Sequence, residues 1–400
     1  MSVEKNVPEI RFTGFSGEWT EKELNKEVEL FSGLTYSPKD VRKEGVFVIR
    51  SSNVKNGQLV NADNVYVNPE VVNCSNVKKG DIIVVVRNGS RSLIGKHAQV
   101  NSCMAQTVIG AFMTGVRGKQ PEFINALFDT NQFTAQVEKN LGATINQITN
   151  GAFNSMVFMF PEELEQTSIG NTFQKLDSLI NQHQQKHDKL CNIKKAMLEK
   201  MFPKQGEIVP EIRFKGFSGE WKSTALAELA LFNPREDLPA NFKYVDLESV
   251  KGTSLIGYRK ELKDNAPSRA QRLAKKGDVF FQTVRPYQKN NYLFNKDDDD
   301  FVFSTGYAQL RPYYDGEFLL NLVQRDPFVR DVLDNCTGTS YPAINASILA
   351  GLRVQYPESK EEQAAIGSYF QKLDTLINQH QQQITKLTNI KQACLSKMFV

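Results

Sequence analysis

Histidine is scarce in this 400-residue chain: only His97, His183, His187 and His380 occur. A His-based catalytic triad has little to draw on, and three of the four histidines lie in long helical stretches. The cysteines Cys74, Cys103, Cys191, Cys336 and Cys394 are an odd count without a C-x-x-C pair, which argues against a disulfide framework or a zinc site. No run approaches about eighteen apolar residues, so no segment reads as a membrane span. The opening MSVEKNVPEIRF lacks the apolar core of a signal peptide, and a cytoplasmic protein is expected.

The familiar catalytic signatures are missing as well. Gly95-Lys96 sits in SLIGKHA without the upstream glycine or following hydroxyl that a phosphate loop needs. There is no G-x-S-x-G elbow and no H-E-x-x-H pair. Asn233-Pro234-Arg235 is the nearest approach to the N-P-P-Y type of motif, and it lacks the aromatic platform for a flipped base. The run Asp297 to Asp300 reads as a solvated loop, because a cation site needs carboxylates at spaced positions. A catalytic role is disfavoured.

What the chain does contain, it contains twice. PEIRFTGFSGEW at 8–19 returns as PEIRFKGFSGEW at 210–221, identical at 11 of 12 positions. FQKLDSLINQHQQ at 173–185 returns as FQKLDTLINQHQQ at 370–382, identical at 12 of 13. Between them fall weaker echoes: KKGDIIVVVR (78–87) with KKGDVFFQTVR (275–285), and Gly142-Ala143-Thr144 with Gly338-Thr339-Ser340. Both halves close on Lys-Met-Phe, at 200–202 and 397–399. A fixed long period means tandem copies of one unit, 1–203 and 204–400, whose middles have diverged.

Each copy divides in two. Residues 1–160 and 204–357 carry short Val-, Ile- and Phe-rich runs punctuated by Gly, Asn, Asp and Pro, which read as mixed domains with substantial sheet. Residues 161–203 and 358–400 read as long helices with heptad rows: Ile169, Leu176, Leu190, Met197 in one and Ile366, Leu373, Leu387, Cys394 in the other. Second rows run through Leu179 and Ile193, and through Leu376 and Ile390. About 40 residues of helix span about 60 Å. Such a rod cannot bury its stripe alone, and its obvious partner is the other copy.

The expected fold is therefore α+β: two tandem mixed domains separated by two long antiparallel coiled-coil helices, pseudo-two-fold and nearly cyclic, with Val400 near Met1. The seam would hold Leu176, His183, Leu190, Leu373, His380 and Leu387. The two histidines are read as partly buried register-fixing residues, since two imidazoles without a third ligand are weak grounds for a metal. The repeated PEIRF phrase, with Ile10, Phe12, Phe15 and Trp19, reads as a structural latch against the domain or the returning helix end.

The diverged middles supply the candidate readers. DNA recognition needs Arg and Lys for phosphates and Arg, Lys, Asn, Gln, Ser or Thr for base edges. In the first domain Arg50, Asn53, Arg87, Asn88, Ser90, Arg91, Lys96 and Thr144 are the candidates. In the second they are Arg269, Arg272, Arg285, Tyr287, Lys289, Asn290, Thr339 and Tyr341. The net charge of +4 is small, but Lys251 to Lys289 holds ten Lys or Arg against three acids.

The twice-written P-E-I-R-F-x-G-F-S-G-E-W opening, the K-K-G-D strand and the closing F-Q-K-L-D-x-L-I helix resemble the specificity subunit of type I restriction-modification enzymes, over essentially the whole chain. The resemblance implies two target-recognition domains, each reading half of an asymmetric bipartite double-stranded DNA site, and a helix pair acting as ruler between them. It implies a subunit without catalytic activity or cofactor of its own. Its partners would be two adenine methyltransferase subunits using S-adenosylmethionine and two restriction subunits driven by ATP with Mg. Lys175, Gln182, Lys186, Lys189, Lys372, Gln379 and Lys386 are candidates for docking the methyltransferase. The competing reading is an interaction scaffold of two protein-binding domains, for which DNA binding would be weak and sequence-blind. A fused methyltransferase is more distant, because the chain leaves no room for a cofactor-binding catalytic domain.

Overall fold

A computed structural model describes residues 6–141 and 146–400. The chain falls into two compact units: Met1–Gln184 together with Gln382–Val400, and Gln185–Gln381. Each unit thus combines one sheet-rich domain with parts of two long helices, Glu163–Lys200 and Lys360–Met398. Among the described residues no helix is long and apolar enough to cross a membrane.

The two units repeat the topology of their central sheet on different sequences. In the first, Val28–Ser32, Met113–Gly118, Ile82–Val85 and His97–Gln99 form an antiparallel sheet in that order. In the second, Ala230–Phe232, Tyr307–Pro312, Val279–Gln282 and Tyr292–Leu293 do the same. The central runs I-I-V-V and V-F-F-Q are buried at every position, which is why they read as unbroken apolar strings rather than alternating ones. A second four-stranded sheet in each unit contains one parallel pair, Val46–Ile49 with Thr107–Ile109 and Asn241–Val245 with Phe301–Ser304.

The K-K-G-D echo has a local cause. Gly80 and Gly277 both sit at φ +95°, a conformation that favours glycine, and turn the chain into the central strand. The following aspartate is 1% exposed in each case and accepts two hydrogen bonds from one arginine fork. Asp81 takes Arg117 at 2.8 and 2.7 Å, and Asp278 takes Arg311 at 2.8 and 2.9 Å. Each carboxylate also caps the turn by accepting the Lys78 or Lys275 N–H, at 2.7 and 2.8 Å.

The repeated opening phrase closes onto a helix end. Arg11 grips the fully buried Glu165 with two hydrogen bonds of 2.7 Å, and Arg213 grips Glu362 identically. The Ile10 N–H donates to the Lys397 carbonyl and the Ile212 N–H to the Lys200 carbonyl, both at 2.9 Å. The final Lys-Met-Phe of the chain therefore does for the first domain what residues 200–202 do for the second. Trp19 and Trp221 are both 3% exposed, as a latch requires. Ile10, read as an apolar anchor, and its counterpart Ile212 are instead exposed and contribute through their backbone. Met1 lies outside the described residues.

Within the first unit the long helices run opposite ways, since Phe173 meets Phe399 (ring centroids 5.9 Å apart) while Asp177 meets Lys391 at 2.5 Å. Within the second unit Phe370 meets Phe202 and Asp374 meets Lys194 in the same sense. Gly170 permits a close approach: a Cβ there would stand 2.6 Å from the Phe123 nitrogen. Of the expected seam, Leu176 packs with Cys394 and Leu395 on the first core, while Leu190 and Leu373 join the second. His183, His380 and Leu387 are half-buried. The second heptad rows are largely uncovered: Leu179, Leu376 and Ile390 are 40–43% exposed, while Ile193 packs against the second core.

Candidate nucleic-acid interface

The buried central strand of each unit ends in an exposed loop, and a second loop returns to bridge it. Arg87 pairs through its backbone with Gln147, and Val284 with Ala343, at matching places in the two copies. Two stretches distant in sequence are thereby brought together twice: residues 87–96 with 146–148, and 284–291 with 337–343. Asn88 also donates to Ser51 Oγ at 3.2 Å, which draws the 50–53 turn to the same edge.

The candidates then separate by what their polar atoms already do. Asn53 is 1% exposed, its side-chain NH2 donates to Val60 O, Ala62 O and Asn64 Oδ1, and its Oδ1 accepts the Arg50 N–H. It acts as a turn staple, its amide engaged within the 50–64 segment. Arg50 is half-buried and donates to the Asp63 carbonyl. Asn88 accepts the Ser90 N–H at 3.0 Å besides holding Ser51. Asn290 accepts the Gly252 N–H at 2.8 Å, and Lys289 is ion-paired with Asp326. Thr144 lies outside the described residues.

Those left available are Arg87, Arg91 and Lys96 in the first unit, all exposed, and Arg269, Tyr287, Thr339 and Tyr341 in the second, while the exposed Ser90 hydroxyl shares a hydrogen bond with Ser92. Arg272 is half-buried, its Nε has no acceptor, and burial holds its pKa below the usual arginine value. Arg285 lies over the Tyr341 ring at 4.4 Å, and Arg87 over Phe112 at 4.9 Å. Phe112 is 53% exposed and was not singled out, since no local sequence signal marks an aromatic whose partner is an arginine on another strand. Arg285 (φ +54°) and Lys289 (φ +53°) hold left-handed backbone on either side of Tyr287. That conformation costs about 1–2 kcal/mol per residue, and such outliers gather at functional loops.

The basic stretch 251–289 is less positive in space than in sequence. Arg259 lies 3.5 Å from Asp246, Lys275 2.8 Å from Glu236, Lys276 2.6 Å from Asp297, and Lys289 beside Asp326. All four acids come from outside the stretch. The run Asp297 to Asp300 takes part in this neutralisation through Asp297, while Asp298 and Asp300 hold Lys243 outside the stretch. Lys251, Lys260, Lys263 and Arg269 remain exposed.

The model of the type I restriction modification DNA specificity domain matches residues 16–192 and 242–389. The chain is 21% identical over 423 residues to the type I restriction enzyme StySPI specificity subunit of Salmonella potsdam, covering 95% of this chain and 88% of that one. It is 25% identical over 173 residues to the EcoKI specificity subunit of Escherichia coli K12, covering 41% and 36%. The crystal structure of a type I restriction-modification S subunit from M. genitalium superposes with a TM-score of 0.62 over 98% of this chain and 99% of that one, at 16% identity. That last likeness speaks to the fold alone.

Proposed function

The chain belongs to the type I restriction modification DNA specificity family, and on that footing we propose that each unit reads one half of a bipartite, asymmetric double-stranded DNA site. The observation that carries this reading is the contrast between constant frame and variable loop. Two units share the strand order of the central sheet, the turn and the latch, yet present Arg87 with Phe112 in one and Arg285 with Tyr341 in the other. A frame kept while its exposed polar letters change is what two different half-sites ask for.

The long helices are the ruler. Paired as an antiparallel coiled coil with pseudo-two-fold, nearly cyclic arrangement, they set the spacer so that the readers meet major grooves about one turn, about 34 Å, or somewhat more apart. The exposed Leu179, Leu376 and Ile390, among the helix lysines Lys175, Lys189, Lys372 and Lys386, favour two docked methyltransferase subunits. The subunit itself is non-catalytic and cytoplasmic. S-adenosylmethionine, ATP and Mg belong to the methyltransferase and to two restriction subunits.

The test is to co-express the chain with its methyltransferase partner and map methylated adenines across a genome. A single bipartite motif with a fixed gap is expected, and exchanging residues 20–160 should alter one half-site only. A contiguous motif, or none, would favour a protein-binding scaffold instead.

A further inference from the structure

In the second unit a cleft of about 700 Å³ is lined by the later part of the helix Glu163–Lys200, by the start of the helix Asp326–Asp334 and by Lys289 of the recognition loop. Its charges do not balance. Lys194 is held by Asp374 at 2.6 and 2.7 Å, and Lys289 by Asp326. Lys195, Arg325 and Arg330 line the same space with no carboxylate within 4 Å among the described residues, although Asp326 acts on Lys195 and Arg330, and Asp331 on Arg325, at longer range.

Arg325 is the unusual member. Its guanidinium stacks on Phe202 at 4.8 Å and its Nη2 donates to the Pro203 carbonyl at 2.7 Å. Its Nε–H is buried without an acceptor. Burial pushes its pKa down to about 10, outweighing the pull of Asp331. A desolvated cation without a carboxylate in direct contact is costly, and a bound anion reduces the cost.

The first unit shows the same place self-compensated. EFINALFDTNQF (122–133) corresponds to EFLLNLVQRDPF (317–328), and NIKKAM (192–197) to NIKQAC (389–394). In the first unit Lys391 reaches both Asp129 at 2.6 Å and Asp177 at 2.5 Å. In the second, Gln324 replaces Asp129, Arg325 replaces Thr130, and Lys195 stands where the other copy has Gln392. Each exchange makes the second site more positive by one charge. Two opposing exchanges accompany them: Asp326 stands where the first unit has Asn131 and is ion-paired with Lys289 while also acting on Lys195 and Arg330, and Glu199 stands where the first unit has Ser396.

We propose that this cleft is a phosphate-binding site without counterpart in the first unit, in which the Arg325 Nε–H, Lys195 and Arg330 take the oxygens of one phosphate group. Several cations converging from different elements suit a multi-oxygen anion, and the volume lies in the ordinary range for a small-ligand site. The phosphate is either free, as the ion or on a small molecule, or part of the DNA backbone beside the loop that carries Lys289. Only the second source rests on the recognition reading.

The full chain is melted in phosphate and in chloride at equal ionic strength, beside the double variant Lys195→Gln with Arg330→Gln, which leaves the Phe202 stack intact. Phosphate stabilises proteins generally by exclusion, so the difference between parent and variant is what is read. For a free-phosphate site the parent should gain on the order of 2–4 °C more than the variant. A second arm measures specific DNA binding by the complex with the methyltransferase against salt. A backbone phosphate in the cleft predicts a log–log slope shallower by about 0.9 in the variant, with the motif unchanged. Equal melting shifts together with equal slopes overturn the proposal. If the complex shows no specific DNA binding, the recognition reading fails, and the melting arm alone decides the cleft.

Discussion

The Trp19 indole packs edge-on against Phe399, with 6.1 Å between ring centroids, so the penultimate residue of the chain completes the first domain's core. Trp221 and Phe202 make the same contact at 5.7 Å in the second unit. Phe399 is 6% exposed and stacks on Phe123 as well. Phe399→Ala should therefore cost about 3 kcal/mol in the first unit. Urea unfolding followed separately at Trp19 and Trp221, each read with the other tryptophan replaced by Phe, should show only the first transition moving. Phe202→Ala should do the converse, and a Phe399 variant unfolding like its parent would remove that ring from the core.

The buried aspartates of the two K-K-G-D turns make a graded pair. Asp81 serves Arg117 and the Lys78 amide, whereas Asp278 serves Arg311, the Lys275 amide and the Gln309 side-chain NH2 at 2.6 Å. Removing one partner of a buried ion pair costs about 3–5 kcal/mol, because the arginine keeps its desolvation without its counter-charge. Asp81→Ala should fall in or near that range, whereas Asp278→Ala also strips the Gln309 contact but leaves Arg311 held by Glu236 at 2.6 Å. Chemical denaturation of Asp278→Ala with and without Glu236→Gln gives the comparison, and an unchanged cost on removing Glu236 would mean that it does not support Arg311.

How far these features were legible in the sequence depends on whether their partners are local. The latch and the turn could be read because Trp19, Trp221, Asp81 and Asp278 sit inside repeated strings whose constancy marks a shared structural duty. The loops could be placed but not sorted. Asn53 and Arg87 are both polar residues just beyond a strand, and only folding reveals that residues 60–64 consume the first amide while the second guanidinium stays exposed. The acids that neutralise part of 251–289 lie at Glu236, Asp246, Asp297 and Asp326, beyond any window drawn around the stretch. Heptad counting likewise gave the period of the long helices but not the width of the covered stripe, and Leu179, Leu376 and Ile390 fell outside it.

The first unit should also weaken in acid by a nameable route. Burial alone would raise the Asp129 carboxyl, but His97, 3.4 Å away, and Lys391 outweigh it and hold the pKa at about 2, against 3.8 for the free group. A depressed carboxyl contributes stability that is present above about pH 4 and is lost as pH falls through about 2. The shift corresponds to roughly 2 kcal/mol. Asp177 works the other way: burial raises its pKa despite Lys391, so its protonation on acidification relieves a cost. Asp129→Asn should therefore flatten the acid limb of first-unit stability between pH 4 and 2, while Asp177→Asn should not. Denaturation midpoints across that range make the comparison, and an unchanged limb in Asp129→Asn would place the acid sensitivity elsewhere.

The arginines set over exposed rings make the sharpest prediction about recognition. An arginine read against guanine needs its fork held in a plane, and a ring beneath the guanidinium restricts it without using its N–H donors. Arg87 over Phe112 and Arg285 over Tyr341 are held this way, each beside the backbone bridge that joins its two loops. Loss of a bidentate base contact costs about 1–3 kcal/mol of discrimination, or on the order of 10- to 100-fold. Arg87→Ala in complex with the methyltransferase should relax one position of one half-site and leave the other intact, and Arg285→Ala should do the reverse. Phe112→Leu should produce a weaker version of the Arg87 effect at the same position, because it loosens the arginine without removing it. A phosphate contact would instead lower binding evenly over all sequences and make the salt dependence shallower, so methylation maps and salt titrations of the same variants separate reading a base from holding the backbone.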